Sequence, residues 1–369
     1  MFDKLADFFK NPENRRKRIF FISCFSTVFV LFLIVGIGYA VWNSIVVPPP
    51  PPPMEFRPVL PSVSASEGSN QDEDADSTDD SEPAYIWPAP IRMTDDDRRD
   101  MFWTFLIVGL NEGTNANTVM VASYCGVTQE AHLVSIPRDV PVHATRRGRK
   151  LSSSYLVGAG GGRGRAGGIA QVQRDVMNVI GFIPDYYILI DYDAFFTIID
   201  AVGGIEIDVP MRMRYDDRWQ NLHIDIHPGV QRMDSETALH FVRFRRSNRG
   251  YPSITDFQRI EHQQMVIDAV ISELLRPASL LRIPEFVNIF NESVYTDLTM
   301  GNMMWFALEL NNIRGTDALS THTLLPYRSS GTPNYYEFLN AASVVEIVNN
   351  TVNPFYIDFE VRDLNIIRQ

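Results

Sequence analysis

The sequence predicts an α/β protein: a three-layer α-β-α domain with a central mixed sheet, preceded by one transmembrane helix. Three observations carry that expectation. From about residue 95 onward, apolar runs of strand length are interspersed with longer stretches of helical spacing. Near the N-terminus, 24 residues pass without a charge. Between these lies a stretch of proline and acid that cannot build a core.

The N-terminal run comes first. Arg15, Arg16, Lys17 and Arg18 precede residues 19–42, which are rich in Phe, Val, Ile and Leu. As a helix, at about 1.5 Å per residue, that run reaches roughly 36 Å, enough for a hydrocarbon core of about 30 Å with some tilt. A cleaved signal peptide has a shorter apolar region and a small-residue cleavage site. This run ends in Val41-Trp42-Asn43 instead. The expectation is a transmembrane helix over 19–43. The basic block puts residues 1–18 in the cytoplasm and the rest outside, as a single-pass protein of the cell membrane.

Residues 44–94 read as a linker. Six prolines at 48–53 favour a stiff polyproline II spacer. Eight acids and no base lie between Glu67 and Glu82. Without them the formal net charge of −12 becomes −4, so the acidity describes a tether more than the folded domain. A net negative chain also argues against duplex nucleic acid as a partner. Only two cysteines occur, Cys24 and Cys125, and the topology separates them. That excludes a disulfide framework and a cysteine zinc site. Cys125 reads as a small buried apolar residue.

Within residues 95–369, strands are expected at 105–110, 118–123, 131–136, 186–190 and 205–209. Helices are expected at 169–180, 235–242, 256–275, 303–310 and 342–348. The last 90 residues or so pack either as a final layer or as a small subdomain. Residues 158–168, GAGGGRGRAGG, lack the GK[ST] of a Walker loop and follow no apolar strand. They read as a flexible loop, from which Arg163 and Arg165 can reach an anion. Seven histidines include no HExxH; His223 and His227 fall in a strand and turn.

Two segments carry chemistry. In 133–139, LVSIPRD, an apolar strand stops at Pro137 and presents Arg138 and Asp139 at its end. Strand ends of α/β sheets bind ligands, although a local Arg–Asp salt bridge explains the pair equally well. In the second, Arg243, Arg245, Arg246, Arg249 and Arg259 fall within seventeen residues. A solvated basic face would mix in lysine, yet no lysine follows Arg163. Guanidinium forks match phosphate oxygens, so the pattern favours phosphate or pyrophosphate recognition.

These stretches resemble the LytR-CpsA-Psr family. The matching segments are 105–110, 133–139, 150–155 (KLSSSY), 183–195 (IPDYYILIDYDAF), 200–210 (DAVGGIEIDVP), 227–239 (HPGVQRMDSETAL), 241–245 (FVRFR) and 256–264 (DFQRIEHQQ). They stand in family order across about residues 103–275. The resemblance implies a reaction. A polyprenyl-pyrophosphate-linked glycan sits in an apolar cleft, for which helices 169–180 and 257–275 offer walls. A peptidoglycan hydroxyl attacks its glycan-proximal phosphorus, and polyprenyl phosphate leaves. Arg138, Arg243, Arg245 and Arg259 match the family's arginines and would hold the pyrophosphate. Asp256 would orient an arginine or touch a metal, and Asp139 and Gln263 would line the substrate site. Release to water, as a pyrophosphatase, would use the same arginines.

One departure stands out. Where the family has an aspartate and then Arg-x-Asp-Thr, this sequence has Asn111 and Asn115-Ala-Asn117-Thr118. The family's acids serve Mg2+ and activation of the acceptor. Asparagine cannot take a proton, and magnesium prefers carboxylates. The expected Mg2+ site is therefore weakened or absent, with Asn111 and Asn117 left as substrate contacts. Glu112 supplies a substitute carboxylate if the loop turns it inward; on a continuing strand it faces away. Two readings stay open: a glycopolymer transferase, or a paralogue that binds lipid-linked glycan without transferring it.

Overall fold

A computed structural model of the chain describes residues 48–50 and 93–367, apart from 112–114, 145, 147, 220–221, 249, 251, 311, 313–318 and 332–334. The expected cytoplasmic tail, the run 19–43, nearly all of the linker 44–94, Glu112 and Arg249 lie outside the described residues. No helix among the described residues is long and apolar enough to cross a membrane.

The chain opens with β1 (Phe102–Asn111), β2 (Asn115–Cys125) and β3 (Glu130–Ser135). Helices α1 (Ser154–Ala159) and α2 (Gly164–Ile180) lead to β4 (Tyr186–Ile190) and α3 (Tyr192–Ala201). Then come β5 (Ile205–Val209), β6 (Met213–Asp217), β7 (Leu222–Ile226) and β8 (Gly229–Met233). Helices α4 (Ser235–Arg243), α5 (Asp256–Leu274), α6 (Pro277–Leu280) and α7 (Ile283–Ser293) follow. The chain closes with β9 (Tyr295–Thr296), α8 (Met300–Glu309), β10 (Leu319–Thr323), β11 (Pro326–Ser329), β12 (Glu337–Leu339) and α9 (Ala341–Thr351).

Six strands form one mixed sheet in the order β10-β3-β2-β1-β4-β9. β10 and β3 are parallel, as are β1 and β4; the other pairs are antiparallel. Short connections join β1 to β2 and β2 to β3, whereas the antiparallel β9 returns to β4 only after the second core has been built, and the parallel β1–β4 step needs a crossover, which α1 and α2 provide. Alternation along β1 explains the layering. Leu106, Val108 and Leu110 join the main core with Val172 and Val176 of α2 and Val344 and Val348 of α9. Trp103 and Phe105 turn to the other face, where their rings meet Trp305 and Phe306 of α8 at 4.8 and 4.9 Å. Each such buried aliphatic side chain is worth about 1.5–3 kcal/mol, so the register of the sheet is strongly fixed.

A second core lies under α4 and α5. The paired strands β5/β8 and β6/β7 turn Ile205, Ile207, Val209, Ile224 and Ile226 inward. Phe241 of α4, Phe244 just beyond it, and Val266 and Ala269 of α5 close over them.

Two expectations need correction, and one alternative is decided. Residues 158–168 are for the most part not a loop: Gly158 and Ala159 end α1, a turn spans 160–163, and Gly164–Gly168 open α2. These glycines serve packing, since a Cβ on Gly168 would stand 2.6 Å from the Tyr155 ring, and one on Gly167 would strike the Gly158 carbonyl. Cys125 ends β2 half-buried, not in the core. Of the two alternatives for the C-terminal portion, it packs as part of the main domain. Its β9 and β10 take opposite edges of the main sheet, and α8 and α9 cover its two faces.

Candidate functional site

The site forms where four chain segments meet. β3 ends at Ser135, and Pro137 has no N–H with which to extend the ladder. Arg138 and Asp139 therefore emerge at the carboxyl end of a sheet strand. The second segment is the start of α5. Thr255 and Gln258 exchange a reciprocal capping box, with Gln258 N–H donating to Thr255 Oγ1 at 3.2 Å and Thr255 N–H to Gln258 Oε1 at 2.9 Å. That cap fixes Asp256 in the first turn and Arg259 one turn on. Arg245 comes from the segment between α4 and α5.

Asp256 is the hub. Its carboxylate lies 3.1 Å from Arg259 Nη1, 3.6 Å from Arg138 Nη2 and 3.6 Å from Arg245 Nη2. Asp139 is paired differently: Lys150 Nζ donates to it at 2.6 Å, and Arg138 Nε stands 3.7 Å away. The Lys150 ammonium also sits over the rings of Tyr335 and Tyr336, at 5.9 and 5.8 Å. Burial pushes the Arg259 guanidinium down to about 10, with Arg138 adding to the shift and Asp256 opposing it. It stays charged at neutral pH. Although salt-bridged, the buried Arg138 Nε, Arg259 Nε and Asp256 Oδ1 form no hydrogen bond among the described residues. Guanidinium forks gathered at one carboxylate are the kind of group that matches phosphate oxygens.

The third segment is the start of β2. Gly109 pairs with Thr118 and Leu110 with Ala116, so Asn117 is the extra residue of a β-bulge. A bulge re-aims its side chain. Here Asn117 Oδ1 accepts from Arg138 Nη1 at 3.3 Å. Asn111 does something else: its Oδ1 accepts from the Asn115 N–H at 3.2 Å, closing the β1–β2 hairpin. The fourth segment is β12, which brings Glu337 into the same cleft as Asn117, Arg138, Asp256, Arg259 and Gln263.

The structure thus brings together Arg138, Arg245, Arg259, Asp256, Asp139, Asn117 and Gln263. It does not bring Arg243 to the Asp256 hub. As the last residue of α4, Arg243 lies with its guanidinium over the Tyr192 ring, 5.3 Å from the centroid. Nor do the glycine-segment arginines reach the cleft: Arg163 donates to the carbonyls of Gly160 and Val157, and Arg165 stacks on Tyr295 at 4.7 Å. Sequence reasoning missed Glu337. Two tyrosines beside it gave no motif, and its position shows only once β12 docks on the β3 end.

The residues present do not fit magnesium where the resemblance expects it. Asn111 and Asn117 offer neutral amide oxygens, one tied to a backbone N–H and the other facing a guanidinium. Among the described residues, no three His, Cys, Asp or Glu side chains are placed to hold a metal ion.

Comparison with known proteins follows the same lines. The LytR_cpsA_psr family model matches residues 64–353. The regulatory protein MsrR of Staphylococcus aureus is 23% identical over 266 residues, 69% of this chain and 73% of that protein. The polyisoprenyl-teichoic acid–peptidoglycan teichoic acid transferase TagU of Bacillus licheniformis is 24% identical over 215 residues, 57% of this chain and 64% of that one. The crystal structure of Bacillus subtilis TagV superposes with a TM-score of 0.55 at 20% identity, over 68% of this chain and 96% of that one. The mixed sheet is thus the fold of these proteins, and the chain belongs to the LytR_cpsA_psr family.

Proposed function

We propose that this protein transfers a polyprenyl-pyrophosphate-linked glycopolymer to a hydroxyl of peptidoglycan. The observation that carries the reading is the convergence of Arg138, Arg245 and Arg259 on Asp256 beside the carboxyl end of β3. A relative named as a teichoic acid transferase supports the same chemistry. The three arginines hold the pyrophosphate oxygens. The acceptor oxygen attacks the glycan-proximal phosphorus. As the new O–P bond forms, the bridging P–O bond breaks, and polyprenyl phosphate leaves with that electron pair. Such transfer is dominated by positioning and charge stabilisation, which fixed guanidiniums supply. In this reading the run 19–43 anchors the chain, and the folded part works outside the membrane beside its lipid-borne donor.

A non-catalytic holder of lipid-linked glycan is the competing reading, and the amides Asn111 and Asn117 favour it. One experiment separates the two. Full-length protein in detergent is mixed with a short-chain polyprenyl-pyrophosphate glycan and peptidoglycan fragments, and polyprenyl phosphate release is followed. Release that disappears in Arg138→Ala supports transfer. Tight binding with no release in either protein supports the holder.

A further inference from the structure

Among the described residues, three carboxylates border the arginine cleft, and they are not equivalent. Asp256 is shared by three guanidiniums. Asp139 is bound by Lys150 at 2.6 Å. Both carboxylates are thus already engaged by cations. Glu337 differs from both. Only 2% of its surface is exposed, and no Lys, Arg or His nitrogen among the described residues lies within salt-bridge distance of it. Its place is nevertheless fixed. Its backbone N–H donates to the Asp139 carbonyl at 3.1 Å, tying β12 to the Pro137–Arg138–Asp139 turn. Its Oε1 accepts from the Tyr335 hydroxyl at 3.1 Å.

We propose that Glu337 is the general base that activates the acceptor hydroxyl, in place of the carboxylates that Asn111 and Asn117 cannot supply. The inference rests on the transfer reading above. Glu337 takes the proton of the attacking hydroxyl as its oxygen bonds to phosphorus. The bridging oxygen keeps the electrons of the broken P–O bond and leaves on polyprenyl phosphate. The charge balances: one proton moves to Glu337, and the leaving phosphate gains one negative charge. Arginines cannot serve here, because they hold their protons at every working pH. Burial raises the affinity of Glu337 for a proton, the neighbouring Asp139 and Asp256 raise it further, and the Tyr335 hydroxyl and Arg138 oppose them. Arg259 faces the same cleft from α5, and Lys150 stands over Tyr335. A carboxylate poised toward neutrality is the useful kind of base.

The test uses full-length protein in detergent, with the same polyprenyl-pyrophosphate glycan and peptidoglycan fragments. Glu337→Gln should lower turnover by at least about 100-fold while glycolipid affinity stays within about threefold of wild type. The wild-type rate should rise with pH along an acidic limb, and that limb should vanish in Glu337→Gln. Tyr335→Phe keeps the carboxylate and removes the bond that restrains its basicity. It should move the acidic limb to higher pH, and it gives a readout even if the buried Gln variant folds poorly. Wild-type turnover with an unchanged limb in both variants overturns the assignment and leaves transfer standing. So does a Glu112→Gln variant that abolishes turnover while Glu337→Gln does not. If wild type binds the glycolipid and releases nothing, transfer itself falls, and Glu337 as its base falls with it.

Discussion

The two walls of the cleft are made in opposite ways. One wall is cationic and is assembled from distant parts of the chain: Arg138 behind β3, Arg245 beyond α4, and Arg259 on α5. The other is neutral and comes from one hairpin, where Asn117 bulges out of β2 and Asn111 closes the turn. The cationic wall offers guanidiniums to an anion. The amide wall offers neutral oxygens, which neither take up a proton nor attract magnesium as carboxylates do. Arg138 belongs to both, because it touches Asp256 with one nitrogen and Asn117 with another.

The largest effect should come from removing that shared residue. Arg138→Ala deletes a guanidinium from the proposed pyrophosphate site and removes the partner of Asn117 Oδ1. Turnover is expected to fall about 1,000-fold, or about 4 kcal/mol of transition-state stabilisation. A fall of less than tenfold, measured as polyprenyl phosphate release, would mean that the cationic wall is not where charge develops.

The cationic wall also depends on how α5 sits against α4, since Arg245 follows one and Asp256 begins the other. His262 contributes to that seating: it is buried in α5 and stacked on Phe241 of α4 at 4.5 Å. Burial pushes its imidazole from 6.5 down to about 4. The unfolded chain therefore takes up this proton before the folded one does. The stability from a neutral His262 is full above about pH 6.5 and is lost as pH falls toward 4. One unit is about 1.4 kcal/mol, so the loss amounts to ~3 kcal/mol. Urea midpoints at pH 7 and pH 4.5 check it. His262→Gln should remove most of the difference; an equal loss in that variant would place the acid sensitivity elsewhere.

Asp256→Ala breaks the hub itself. Arg138 and Arg259 are largely buried, whereas Arg245 is half in solvent and contributes less. Removing the one carboxylate they share should destabilise the protein by about 2 kcal/mol. Pyrophosphate should then raise the melting temperature of the variant more than that of wild type, because an added anion replaces the lost one. Equal shifts would show that the arginines do not need Asp256 as a stand-in for substrate.

How much of this was legible in the sequence differs between the walls, for physical reasons. Strand β4 and the start of α5 stand where apolar runs and helical spacing put them, because local pattern decides them. Arg138, Arg245 and Arg259 could be gathered from the sequence by their motifs. Arg243 could not be placed: two residues from Arg245, it leaves the hub because α4 ends between them and its guanidinium lies on Tyr192. Gly158, Gly167 and Gly168 read as a loop by composition, yet they are where two helices press together. Glu337 left no trace, since its meaning comes from a contact with Asp139 nearly two hundred positions away.

The smallest effect is the most informative about the amide wall. Asn117→Asp replaces an amide that faces Arg138 at 3.3 Å with a carboxylate of the same size. The new charge competes with phosphate for that guanidinium. In a partly solvated site such a pair is worth ~0.6 kcal/mol, so glycolipid affinity should drop about threefold at low ionic strength and less in high salt. Titration of the full-length protein with the short-chain glycolipid reads it directly. If affinity does not move, Arg138 is not the group through which the two walls communicate, and the neutral hairpin has no bearing on how the arginines hold their ligand. If it falls as expected, the amides do more than mark the loss of two carboxylates. They leave Arg138 free for pyrophosphate, and proton transfer must then be served from the β12 side of the cleft.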